Sequence, residues 1–219
     1  MPTQKFINLT ESKKQTILTA MCREFMNIPY SEIRISNLIQ KAGISRASFY
    51  LYFEDKEDLL GCIAESWVDV ILRKLTEAFR VSDGSYYESM KLWMSQALEN
   101  DISREVWKVY KRVMEEEDFT RKSKMGALQF KASPKWRQVI EECYGHMDQS
   151  RYPGLTPEKL AYAVDMGLLA MVQLSMRYVE HYAPLAELKE AAWHQLTILD
   201  KGIREWSESL RKRKEGTGK

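Results

Sequence analysis

Arg46, Ala47 and Ser48 are three neighbouring side chains suited to the edges of base pairs. Arginine can pair bidentately with guanine, serine can donate or accept a hydrogen bond, and alanine can touch the methyl group of thymine. Ten residues after Arg46 stands Lys56, in what reads as the first turn of another helix. A cation there opposes the helix dipole, so a phosphate partner explains it better than helix stability does. Arg34, just ahead of this stretch, is either a further phosphate contact or an ordinary surface charge.

These side chains need a rigid frame, and the flanking residues supply one. Ile35, Leu38 and Ile39 follow the i, i+3, i+4 spacing of one helical face. Gly43 falls where that helix should end, and it can take the left-handed conformation that closes a helix. Ser45 then stands at an N-cap position, with its hydroxyl placed to accept a backbone N–H near Ser48. A second helix comes next, Arg46 to about Tyr52, and Phe49 and Phe53 at i and i+4 should turn inward. Two short helices joined by a tight glycine-containing turn form a helix-turn-helix unit, which can lay its second helix in the major groove.

The run Ala42-Gly43-Ile44-Ser45-Arg46-Ala47-Ser48-Phe49-Tyr50-Leu51-Tyr52-Phe53, followed by Lys56-Glu57-Asp58-Leu59-Leu60, resembles the DNA-binding signature of the TetR family of transcriptional regulators. That signature is roughly an AGVS turn, a TLYxYF recognition helix and a KExL opening to the next helix. The resemblance covers about Thr10 to Leu60. It implies that Tyr50 contacts phosphate, that Tyr52 contacts phosphate or a base, and that Lys56 contacts phosphate. It also implies a homodimer, most often a repressor, released by a small effector. The sequence departs from the family pattern at Asn27-Ile28-Pro29-Tyr30, where a glycine is usual, and at Arg34, where Thr or Ser usually opens the next helix. The cap there comes from Ser31 or is missing.

Composition narrows the function classes. At 219 residues the chain can bury a sizeable core, and 44% apolar with 29% charged residues describes a folded, soluble protein. Cys22, Cys62 and Cys143 lie far apart, which fits a reducing compartment and neither a disulfide framework nor a zinc site. The first residues are polar, so no signal peptide is visible. The longest apolar run, Leu168 to Val172, is too short to span a bilayer. A cytoplasmic location without membrane association is expected. Residues 1–53 carry seven basic side chains against three acidic ones, a net of +4, which suits phosphate contact and equally an ordinary solvated surface. No GxSxG, HExxH, P-loop or glycine-rich nucleotide turn occurs, so neither an enzyme nor a cofactor or metal is expected.

Along the chain, residues 1–9 read as a loose arm. A helix capped by Thr10 carries Ile17, Met21 and Phe25 on one side and breaks near Pro29. A long helix, about 55–80, is capped by Asp55 with Asp58 in capping-box position, and links the helix-turn-helix to the C-terminal helices. Further helical segments are expected at about 85–99, 102–118, 120–132, 134–148, 156–182 and 184–213, with turns at Ser82-Asp83-Gly84-Ser85 and Tyr152-Pro153-Gly154. The expectation is all-α, about nine helices, with a three-helix helix-turn-helix domain over 1–54 and a helical effector-binding and dimerisation domain over 55–219.

Leu160, Val164, Gly167, Leu168 and Met171 make one face, with Ala161, Asp165 and Leu169 adjoining. Leu188, Ala192, Leu196, Leu199, Ile203 and Trp206 make a stripe on the last helix. The pair either joins a second copy as a four-helix bundle or is internal core. A dimer would hold two recognition helices about one DNA turn, roughly 34 Å, apart and would select a pseudo-palindrome in double-stranded DNA. Trp93, Trp107, Tyr110, Met114, Tyr144, Tyr162 and Met166 suit the lining of a pocket for a small apolar or aromatic effector, or plain core. The rival function is a DNA-binding regulator or architectural protein controlled by a protein partner, with no small ligand.

Overall fold

The computed structural model describes residues 2–99 and 133–216. The elements are α1 (Gln4–Ile7), α2 (Glu11–Asn27), a 3₁₀ turn (Tyr30–Glu32), α3 (Ile35–Ala42), α4 (Arg46–Tyr52), α5 (Lys56–Val81), α6 (Tyr86–Glu99), α7 (Pro134–Gly145), α8 (Pro157–Val179) and α9 (Leu185–Gly216). No strand occurs among the described residues, and the fold is all-α. The segments expected at 102–118 and 120–132 lie outside the described residues, as do Trp107, Tyr110 and Met114.

Residues 2–70 form one compact unit, and residues 71–99 with 133–216 form a second. The first is built on α2, whose Ile17, Leu18, Met21 and Phe25 are buried against Leu38 of α3, Phe49 and Phe53 at α4, and Leu59, Leu60 and Ile63 of α5. α2 starts after Thr10, but the Thr10 side chain makes no cap bond. It ends at Asn27, and the chain turns extended through Ile28 and Pro29, where proline lacks the N–H a helix would need. The expected loose arm is instead structured: α1 buries Phe6 in the same core. A single aromatic among polar residues carries too little periodicity to announce a one-turn helix.

The second unit packs α8 on α6, α7 and α9, and α9 also on α6. Leu160, Val164, Leu168 and Met171 are buried inside it, as are Leu188, Ala192, Leu196 and Ile203. Leu199 is half-buried and Trp206 is exposed, but at these positions the stripes expected either to face a second copy or to be internal core are core. Gly167 shows why. A Cβ there would run into Met90 and come within 3.1 Å of the Tyr86 hydroxyl. The missing side chain is what lets α8 lie close on α6. The outward side of these helices instead carries Tyr162, Met166 and Leu169 of α8 and Ile198 and Trp206 of α9, each more than 40% exposed.

A buried polar knot ties the start of α6, the turn before α8 and the middle of α9 together. The Tyr152 hydroxyl accepts the Tyr86 backbone N–H at 3.0 Å and donates to Asp200 Oδ1 at 2.5 Å. Arg204 Nη2 meets Asp200 Oδ2 at 2.7 Å, and the Tyr86 hydroxyl donates to the Ala163 carbonyl at 2.7 Å. Beside it, Ser207 donates to the Pro153 carbonyl at 2.9 Å. Gly154 sits at φ +99°, with the Ser207 carbonyl oxygen 2.8 Å from where a Cβ would be. A buried carboxylate needs such partners, because stripping its water without replacement is costly. Burial, with Asp200 alongside, pushes the Tyr152 hydroxyl up to about 12.

Tyr152→Phe removes one donor and one acceptor from the knot. The expected outcome is a loss of about 2–3 kcal/mol in unfolding free energy by urea titration at neutral pH. The raised phenol also makes stability pH-dependent. Its contribution is complete below pH 10, the ordinary value for tyrosine, and is lost as pH climbs through about 12, because the unfolded chain releases that proton first. Tyr152→Phe should shallow the alkaline fall; an unchanged curve and midpoint would refute the role given to the knot.

Candidate nucleic-acid interface

The turn between α3 and α4 is made by two residues. Gly43 adopts φ 62°, ψ 32°, a left-handed conformation that is costly for a residue with a Cβ. The Ile44 N–H reaches the Ile39 carbonyl at 3.1 Å and the Gly43 N–H reaches that of Gln40 at 3.3 Å, the paired closing bonds of a Schellman motif. Ser45 then caps α4, with its Oγ accepting the Ser48 N–H at 3.0 Å. The two hydroxyls also lie 2.8 Å apart, so the Ser48 side chain is shared between its cap and any outside partner.

On α4, Phe49 and Phe53 are fully buried and close to each other, their ring centroids 5.6 Å apart. That leaves Arg46, Ala47 and Tyr50 on the outer side, with Tyr50 46% exposed and the Arg46 guanidinium 5.7 Å from its ring centroid. Leu51 joins them at 45% exposure. Sequence reasoning passed over Leu51 because an apolar side chain in a helix reads as core; its i+4 spacing from Ala47 was the available signal. Tyr52 goes elsewhere. It is half-buried, its ring 5.7 Å from that of Phe6.

Arg34 is exposed at the N-terminal boundary of α3, and its side chain makes no cap. The first turn of α3 holds no acidic residue. Uncapped amides at a helix start, with an arginine beside them, suit an anion.

Lys56 is half-buried and has partners of its own. Its ammonium donates to the Tyr30 carbonyl at 2.8 Å and the Ile33 carbonyl at 3.4 Å, and lies 4.3 Å from the Tyr30 ring centroid. Such contacts account for a cation in the first turn of α5 without any external anion. An ammonium has three N–H groups, so phosphate contact is compatible with this clamp. The start of α5 is capped on both sides. Asp55 Oδ1 accepts the Asp58 N–H at 2.8 Å, and Asp58 Oδ2 accepts the Glu54 N–H at 3.1 Å.

Among the described residues, the sequence-predicted effector residues Trp93, Tyr144, Tyr162 and Met166 do not share one surface. Trp93 is buried in the second unit. The Tyr144 hydroxyl reaches the Leu155 carbonyl at 3.1 Å and Gln149 Oε1 at 2.9 Å. Tyr162 and Met166 face outward. Among the described residues, no group of three or more His, Cys, Asp or Glu is placed to hold a metal ion. Burial, reinforced by Glu65 and Asp58, pushes the Cys62 thiol up to about 11, and burial pushes that of Cys143 up to about 12. Neither supplies a thiolate at neutral pH. No helix among the described residues is long and apolar enough to cross a membrane.

Lys56→Met keeps the aliphatic stem and removes the ammonium. The clamp predicts a loss of about 1–2 kcal/mol in thermal or urea unfolding with no DNA present. Unchanged stability would mean that Lys56 serves an outside partner alone.

The helix-turn-helix segment is also similar in sequence to known proteins. The pattern described as bacterial regulatory proteins, tetR family, fits residues 17–62. An uncharacterized HTH-type transcriptional regulator of Bacillus subtilis (strain 168), YdgC, is 32% identical over 89 residues, which are 41% of this chain and 45% of that protein. The aligned stretch thus spans less than half of that relative. A crystal structure of a TetR family transcriptional regulator from Chloroflexus aurantiacus J-10-FL covers 96% of this chain and 94% of its own at 19% identity and a TM-score of 0.44. Over residues 17–62, its helix-turn-helix, the chain is similar to the tetR family of bacterial regulatory proteins.

Proposed function

We propose that the protein is a sequence-specific DNA-binding regulator that reads its operator with the outer face of α4. The observation that carries this reading is the sorting of side chains on that short helix. Phe49 and Phe53 are buried, while Arg46, Ala47, Tyr50 and Leu51 face out. Arg46 and Ala47 address base edges, Tyr50 addresses phosphate, and Leu51 offers an apolar surface to a thymine methyl. Ser45 and Ser48 stand at the start of the helix. Arg34 at the uncapped start of α3, and the remaining N–H of Lys56, supply phosphate contacts on either side. Tyr52, packed against Phe6, acts by holding the helix.

In the same reading the protein is a homodimer and a repressor. The outward apolar side chains Tyr162, Met166, Leu169, Ile198 and Trp206 are the face a second copy would cover, since exposed apolar patches of this kind mark association sites. Release by a small apolar or aromatic effector completes the proposal. A coupling of about 1–3 kcal/mol between effector and DNA sites is enough to change occupancy.

Selection of bound fragments from a random DNA pool, at stated salt, tests this. The expected product is one pseudo-palindrome, with Arg46→Ala weakening it by about 1–3 kcal/mol and relaxing preference at one base pair of each half-site. Met166→Glu should leave the fold intact and yield a monomer by sedimentation. Salt-sensitive binding with no enriched sequence would contradict the proposal.

A further inference from the structure

α4 is a seven-residue helix, too short to be stable by itself. Its last carbonyls have no partner within the helix, apart from Phe49, whose oxygen takes the Phe53 N–H at 2.8 Å. Two of the others are met from the opposite end of the unit. The Thr3 backbone N–H donates to the Tyr52 carbonyl at 3.0 Å, and the Thr3 hydroxyl donates to the Leu51 carbonyl at 2.5 Å. Phe6 comes next, 3% exposed, with its ring centroid 4.7 Å from that of Phe53 and 5.7 Å from that of Tyr52. α1 packs directly on α4. The segment is itself stiffened, since the Leu9 N–H returns to the Phe6 carbonyl at 3.0 Å and Gln4 bonds Asn8 across one turn at 2.9 Å.

We infer that residues 3–8 are a strut that positions the recognition helix, rather than an arm that touches DNA. Ser45 holds the N-terminal end of α4 and Thr3 holds the C-terminal end. Between them they fix the angle at which Arg46, Ala47, Tyr50 and Leu51 face outward. Thr3 and Phe6 are positioning residues that act through α4. The inference rests on the DNA-reading role of α4 for its functional effect, and on the free protein for its structural one.

Thr3 lies at φ −69°, the value a proline ring imposes. Thr3→Pro therefore removes both donors without straining the backbone, and Thr3→Ser keeps both. Two readouts separate the cases. In the DNA-free full chain, amide exchange at residues 49–53 should quicken by about tenfold in Thr3→Pro, the size expected for two lost hydrogen bonds, and match wild type in Thr3→Ser. On a duplex carrying the selected sequence, Thr3→Pro should lower the ratio of specific to non-specific affinity by about tenfold, with the dependence on salt unchanged because no phosphate contact is lost. Lys5→Ala should change neither readout. Wild-type exchange in Thr3→Pro would overturn the strut. So would a fall of about one in the salt slope for Lys5→Ala, which marks a DNA-contacting arm. If the wild-type chain prefers no sequence, the DNA-reading role of α4 fails, and the exchange rates still decide for or against the strut.

Discussion

Phe49 and Phe53 lie one turn apart and are both sealed from water. That pair decides what α4 can offer outside. A helix of seven residues has little stability of its own, so its orientation is set by whatever buries one side of it. The two rings do so against the side chains of α2, α3 and α5. Everything proposed for the outer face depends on this anchoring. Losing either ring would free the helix to roll and would remove the fixed geometry that base recognition requires.

Around this pair the first unit satisfies its exposed backbone groups with few side chains. The left-handed Gly43 closes α3, and Ser45 opens α4. Asp55 and Asp58 cap the start of α5. Lys56 reaches back to the carbonyls of Tyr30 and Ile33, across the connection between α2 and α3. Each device is local, and each holds a turn whose shape matters to the interface. The second unit uses a different device. One buried carboxylate, Asp200, draws Tyr152 and Arg204 onto it.

The glycine and serine of the α3–α4 turn and the capping aspartates of α5 are the part that was legible in the sequence. Glycine and serine at fixed offsets specify a turn because only certain residues tolerate the backbone angles or supply the oxygen. The inward turn of Phe49 and Phe53 is dictated by helical spacing alone. Three features were not legible. α1 has a single buried ring and no period. The partners of Lys56 are backbone carbonyls, which leave no mark in a sequence. The apolar stripes of α8 and α9 look the same whether they face α6 or a second copy. Only their burial, with a Cβ at Gly167 having no room beside Met90 and Tyr86 and with Trp206 left exposed, reveals which it is. The same ambiguity hid the outward placement of Tyr162 and Met166 and the inward placement of Trp93.

The most direct measurement is a map of backbone amide shifts as the chain is titrated with a duplex carrying its selected sequence. The outer face of α4 should respond first. Large changes confined to Ser45–Tyr52 and to the start of α3 near Arg34 are the predicted result. Saturable binding that leaves those amides unmoved, with changes elsewhere in the chain, would contradict the claim that α4 reads DNA.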